Sequence, residues 1–441
     1  MPNPLGFEAL QTLLHRWLAQ LPDQRKQGPN TSYAIPDAAL GAFGIFFTQS
    51  SSFLEYQRHL QQAQGHNNAS TLFGVEQLPC NNQIRNLLDP LSPSQLDGVY
   101  LEVFERLAQH GSLATWRVLS DQLLMALDGT QYHSSQAIHC PNCLRRQLSN
   151  GQTLYYHSAM TPVIVCPGRS EVIALPPECI MPQDGHDKQD CERVAGKRWI
   201  AKHATQVAPY GITLLGDALY STQPLCQLAL HNGLNFIFVC KPDSQATLYK
   251  RVAFWQANDA IQELETRRWG GRFTTITRYR YLNQVLLQGG KRALVVNGLE
   301  MTSVNAKTGE QLYHNSFITN HRLSTENVAE VAQAGRGRWK IENENNNVLK
   351  TKGYHIEHNF GHGKKYLAAF LLSLNLLAFL FHTVLEWGDD KYALLRQVLA
   401  RRQTFFEDIR ALTRYMVFES WQHLMDFMIQ GLKLEAKFDT G

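Results

Sequence analysis

LLMALDGT, residues 123–130, is an apolar run of strand length that stops on an acid and a glycine. ITLLGD, residues 212–217, repeats the arrangement. A carboxylate at the end of a buried strand is costly unless it meets opposite charge, so two such acids point to a bound cation. Each also has a plainer reading, with Asp128 and Asp217 as turn formers ahead of Gly129 and Ala218.

On either side of these runs lie others bounded by Gly, Pro, Asn or Asp: LYYHSAMTPVIVC (154–166), EVIALP (171–176) and NFIFVCKP (235–242). Helical patterns fall at 187–203, with Val194, Trp199 and Ile200 as an apolar face, and at 220–232. The order strand, strand, strand, helix, strand, helix, strand predicts a mixed α/β sheet. Its first strands are expected to be antiparallel, and the later ones to be linked by helical crossovers. Alternating β pattern returns between Arg267 and Asn320, in RFTTITRYRYL and KRALVVNGLEMTSV, and NSFITN (315–320) closes it. That stretch is far longer than a loop and reads as a β insertion. Helical signals then run from Ser324 to Lys352 and carry Glu342 in GRGRWKIENENNNVLK, where the plain alternative is a solvated helix residue.

The chain has 441 residues, 44% of them apolar, which excludes a disulfide mini-protein and a disordered tail. Lys and Arg number 42 against 38 Asp and Glu, for a net charge of +4. This excludes a histone-like chain yet hides local asymmetry. Residues 1–115 hold six basic and nine acidic residues, whereas 335–370 hold seven basic against three acidic, and 391–415 six against two. The two basic stretches suit salt-sensitive contact with DNA phosphates, or are ordinary solvated helix faces. No apolar run within the first 30 residues has the length of a signal peptide, so a cytosolic protein is expected. Between Tyr366 and Leu385 no charged residue occurs. Membrane-span length is satisfied, but Ser373, Asn375 and His382 interrupt the run, and a buried core helix is the expectation.

LDGTQYHSS (127–135), LLGDALYS (214–221) and RGRWKIENENNNVLK (336–350), in that strand order, resemble the three acidic motifs of bacterial insertion-sequence DDE transposases. The resemblance covers roughly residues 120–385. The run from IHCPNC through YYHSAMTPVIV to PQDGHDKQDCE is similar to an insertion-sequence group outside the main families. What the resemblance implies is an α/β, RNase H-like mixed sheet with a β-strand insertion, flanked by α-helical N- and C-terminal regions. The implied division is a helical DNA-binding region at 1–115, a catalytic core at 116–250 and 315–385 split by the insertion at 251–314, and a C-terminal helical region at 386–441. Asp128, Asp217 and Glu342 would hold Mg²⁺ or Mn²⁺, cleave the element ends and join them to target DNA. The implied partners are double-stranded DNA, at terminal inverted repeats and target, and a second copy of the chain, in the bacterial cytoplasm and without a membrane. Two other readings stay open: an inactive or domesticated DNA-binding protein, and a stand-alone metal-dependent nuclease.

The family's Glu helix carries Tyr, Arg, Glu and Lys at set positions. Arg338 matches the Arg, four residues before Glu342, but Gly335 stands at the Tyr position and Leu349 at the Lys position, with Lys350 one residue late. Arg338, Lys340 and Lys350 are the implied phosphate contacts. Trp269 and Trp255 are candidates for stacking on an extruded base, or are core aromatics.

Two further clusters stand apart. Cys140 and Cys143, with His157 and with His139 or His133, have the ligand types of a structural Zn²⁺ site. The alternative is a tight turn with two free thiols. Asp184, Asp187, Asp190 and Glu192 cluster ahead of and at the start of the helix at 187–203 and read as capping acids, while Lys188, Arg193, Lys197 and Arg198 on it are available to DNA. In the N-terminal region, PCNNQIRNLLDPLS (79–92) resembles a short helix-turn-helix step or a plain helical linker.

Overall fold

The computed structural model describes residues 3–26, 28, 32–60, 67–182, 190–242, 245, 249 and 261–434. Thirteen strands are present among them: β1 (Leu123–Ala126), β2 (Gly129–Ser135), β3 (Leu144–Gln147), β4 (Thr153–Met160), β5 (Val163–Val165), β6 (Ile173–Ala174), β7 (Glu178–Ile180), β8 (Ile212–Gly216), β9 (Asn235–Val239), β10 (Gln262–Trp269), β11 (Thr274–Leu286), β12 (Val295–Asn305) and β13 (Gln311–Thr319). Nine form one mixed sheet in the order β10-β11-β12-β13-β9-β8-β1-β5-β6, and a small sheet holds β2-β4-β3 with β7 on β4.

The centre of the large sheet is parallel, β1 on β8 and β8 on β9, with β5 antiparallel to β1 and β6 antiparallel to β5. Every residue of β1 and β8 is buried, as a parallel strand covered on both faces requires. The Gln223–His231 helix makes the β8 to β9 crossover. The other helix, expected at 187–203, runs from Glu192 to Val207, with Trp199 and Ile200 buried and Val194 exposed.

The stretch 154–166 is not one strand. β4 and β5 are separated at Thr161 and Pro162, and each joins a different sheet. Pro162 has no N–H to give to a ladder, so pairing stops there. On the opposing chain β1 gives way to β2 at Leu127 and Asp128, and the Thr161 amide donates to the Asp128 carbonyl at 3.0 Å. Asp128 therefore sits where the chain leaves one sheet for the other.

Strand β13 pairs with β12 along one edge and β9 along the other, so the meander β10–β13 is a continuous extension of the central sheet. The remaining layer is helical. Leu367–Gly388 runs through its middle, and 94% of that helix's most apolar window is buried inside the protein. Two of its three interrupting residues are bonded: His382 to the Tyr354 hydroxyl at 2.7 Å and the Phe47 carbonyl at 3.0 Å, and Asn375, whose Nδ2 donates to the Tyr354 carbonyl, whereas Ser373 Oγ and Asn375 Oδ1 are buried without a partner among the described residues. Helices from both ends of the chain pack together here, Phe7 stacking on Trp421 with ring centroids 4.7 Å apart and Asn68 donating to the Thr413 and Met416 carbonyls. The stretch 79–92 contributes the Asn81–Leu88 helix, whose Ile84, Leu87 and Leu88 are buried in this layer.

Candidate active site and metal centre

Asp128 follows β1 and Asp217 follows β8 directly. The two strands are parallel neighbours with Ala126 opposite Leu215, and the Leu127 amide donates to the Leu215 carbonyl, so pairing continues up to the acids. Both carboxylates therefore leave the same end of the sheet. Asp217 also accepts from the Leu219 amide at 2.8 Å, which is the turn-forming duty of its plainer reading.

Glu342 arrives from the segment after β13. There Val328–Arg336 is an α-helix, Gly337–Trp339 tightens to 3₁₀, Ile341–Asn346 is a π-helical turn, and Asn347–Thr351 resumes α. Such π turns concentrate at functional sites. Gly335 is required by packing: a Cβ there would lie 2.9 Å from Ile237 and Phe317 side chains, so no tyrosine fits. Arg338 pairs with Glu342 at 3.0 Å.

A fourth acid joins this end of the sheet. Glu192, the first residue of the Glu192–Val207 helix, accepts from the Tyr220 hydroxyl at 2.9 Å. It also lies so close to Gly129 that a Cβ there would be 2.5 Å from its Oε2. Burial, then the charges of Glu192, Glu342 and Asp217, pushes the Asp128 carboxyl up to about 7, with Arg338 opposing. Burial likewise raises Glu192. Asn346 donates to Asp128 Oδ2 at 3.4 Å and accepts from the Thr161 hydroxyl at 3.1 Å.

The second centre lies in the small sheet. Cys140 and Cys143 occupy the connection between β2 and β3, His157 lies on β4 and His362 on the turn before the Leu367–Gly388 helix. Their ligand atoms all fall within 4.8 Å of one another, and all four residues are buried, so this cluster could hold a metal such as zinc. It is the only group of three or more Cys, His, Asp or Glu ligand atoms so gathered among the described residues; the carboxylates are spread more widely. A hydrogen bond from Cys143 holds the Cys140 thiol low, and Cys143 is correspondingly raised.

The expected fourth ligand, His139, is not in the cluster. It is exposed and stacks on Tyr155 at 4.3 Å, because it stands outside the turn that the two cysteines close. His133 is a neighbour, its ring 4.6 Å from that of His362. The other expected residues divide. Lys340 is buried, with its ammonium on the Arg169 carbonyl, and is not presented to a DNA backbone. Lys350 pairs at the surface with Glu357 at 2.8 Å. Trp269 is 65% exposed at the end of β10, not a core aromatic. Arg198 is committed to Glu178 and Asp190 at 2.8 Å each. Trp255, Asp184, Asp187 and Lys188 lie outside the described residues.

Reading by residue type missed Glu192, taken for a capping acid, and the Asn346 and Thr161 pair. It also missed His362, although the turn FGHGKK was visible. No family model matches this chain, and no curated protein matches it.

Proposed function

We propose that this protein is a DDE transposase with an RNase H-like core. One observation carries the reading: acids at the ends of two adjacent parallel strands, Asp128 and Asp217, share a charge environment with Glu342 from a later helix. The strand order β6-β5-β1-β8-β9, with the antiparallel member beside β1, supports the fold assignment. On this reading β10 to β12 are the inserted strands, and β13 returns the chain to the core.

Four carboxylates against one guanidinium leave excess negative charge, and oxygen donors are what Mg²⁺ or Mn²⁺ prefers. The donor set therefore fits a divalent ion, and its spread is what like charges adopt on their own. Asp128, Asp217 and Glu342 would hold the ions, which when bound supply an activated water and a stabilised leaving oxygen. The protein's own groups do the positioning. Asn346 fixes one Asp128 oxygen, and Tyr220 fixes Glu192 beside Gly129. Arg338 balances the acids and offers a forked donor to a phosphate. The π turn also bears on the displaced lysine. In an uninterrupted α-helix Leu349 would share the face of Glu342, about seven residues on. One π turn absorbs an extra residue and brings Lys350 toward that face.

Double-stranded DNA is the proposed partner, with element ends and target brought together by two copies of the chain in the bacterial cytoplasm. The test is strand transfer in Mg²⁺, using the DNA that flanks the coding region as donor. Joined products, lost in Asp128→Ala, support the reading. Cleavage without joining makes the protein a nuclease of the same fold, and DNA binding with neither cleavage nor joining makes it a non-catalytic relative.

A further inference from the structure

We propose that Cys140, Cys143, His157 and His362 hold a structural Zn²⁺ ion that clamps the turn at 360–366 onto the small sheet. The proposal stands on geometry and does not rest on the transposase reading.

With Zn–S near 2.3 Å and Zn–N near 2.0–2.1 Å, a tetrahedral site has edges of roughly 3.8 Å between sulfurs and 3.5 Å between sulfur and nitrogen. Here the two sulfurs are 4.0 Å apart, and His157 Nε2 lies 3.5 Å from Cys140 Sγ and 3.4 Å from Cys143 Sγ. His362 Nε2 lies 3.6 Å from Cys143 Sγ. Four of the six edges of a zinc tetrahedron are thus in place and the other two lie within 4.8 Å, set by side chains from three separate segments. A disulfide needs sulfurs about 2.05 Å apart and has no use for two imidazole nitrogens aimed at them. Four protein donors leave no open position, and the cysteines are 8% and 6% exposed, so the site is closed to substrate. Binding takes both sulfurs as thiolates, with any thiol proton released to solvent, while both imidazoles bind in the neutral form.

The surrounding bonds show what the clamp secures. The Cys143 amide closes the knuckle on the Cys140 carbonyl at 3.1 Å, and Asn142 between them donates to the Lys365 carbonyl at 2.7 Å. On its other side the same turn accepts from Arg85 at the Phe360 carbonyl, and gives the Lys364, Lys365 and Leu367 amides to Asp89. The ion would thus join the segment that follows Glu342 to the hairpin that starts beside Asp128.

The test uses the full-length chain, purified without added metal, with elemental analysis and Co²⁺ substitution. About one zinc per chain is expected, falling to well under half in Cys143→Ser and in His362→Ala and unchanged in His139→Ala. Co²⁺ should give tetrahedral ligand-field bands with a thiolate charge-transfer band, which decides the matter on the unaltered chain if a variant fails to fold. Iron in place of zinc, a Cys140–Cys143 disulfide by thiol titration, absence of zinc or cobalt uptake, or full zinc retention in His362→Ala would each overturn the proposal.

Discussion

The two candidate centres gather ligands in opposite ways. At the carboxylate end of the large sheet the donors are like-charged and more widely spread than the cluster's, and Glu342 keeps a side-chain exposure of 54%. In the small sheet the donors are buried, already at mutual contact distance, and neutral or nearly so when protonated. The difference follows from charge. Ionised carboxylates repel across a low dielectric and wait for a cation, whereas thiols and imidazoles can pack together before one arrives. On the proposed readings, the first centre exchanges ions and substrate and the second is a fastening.

The sharpest way to break this contrast is to remove a carboxylate. Asp128→Ala, Asp217→Ala and Glu342→Ala should each lower Mg²⁺-dependent DNA cleavage by about 10³-fold or more in single-turnover assays, with DNA retention by gel shift little changed. Retained cleavage in any of the three removes that residue from the site. Loss of the fastening should act on stability instead. Stripping metal with a strong chelator should lower the melting midpoint by roughly 5 °C or more, with the far-ultraviolet spectrum preserved at low temperature.

A smaller effect tests the packing around Gly335. Gly335→Tyr, which would supply the tyrosine of the transposases that the sequence resembles, should destabilise the chain by about 2–4 kcal/mol in urea unfolding, since its Cβ meets Ile237 and Phe317. A stable Gly335→Tyr would mean that the Val328–Arg336 helix can lift from the sheet.

The smallest effect is a pH dependence. The Asp128 carboxyl is raised to about 7 from 3.8, so its contribution to stability is present below about pH 4 and is lost as pH rises through 7. In the absence of divalent ions, Asp128→Asn should therefore raise the melting midpoint at pH 8 by roughly 2–5 °C, and by less at pH 5. Added Mg²⁺ should shrink the difference at pH 8. An equal gain at both pH values would show that burial alone, without charge, sets the cost at this position.

How far the residues spoke for themselves can be followed one by one. Asp128 and Asp217 were legible because a strand boundary is a local event, written in a run of apolar residues and the acid that ends it. Cys140, Cys143 and His157 were legible because turn spacing keeps them within one hairpin unit. His139 was wrongly preferred to His362 because nearness in sequence stood in for nearness in space, and 219 residues separate His362 from Cys143. Glu192 looked like a helix cap, since nothing local indicates that its helix begins beside Gly129. The break of 154–166 at Pro162 was local too, but its consequence, two strands in different sheets, was not.

By itself the sequence determined the alternation of strand and helix, the acids at the strand ends and the paired cysteines, because periodicity and turn chemistry act over a few residues. Only the tertiary structure decided which strands are neighbours, that Glu192 joins Asp128, that the π turn shifts the phase after Glu342, and that His362 completes the cluster. Those outcomes depend on which surfaces bury one another across hundreds of residues, a choice made by the whole core at once.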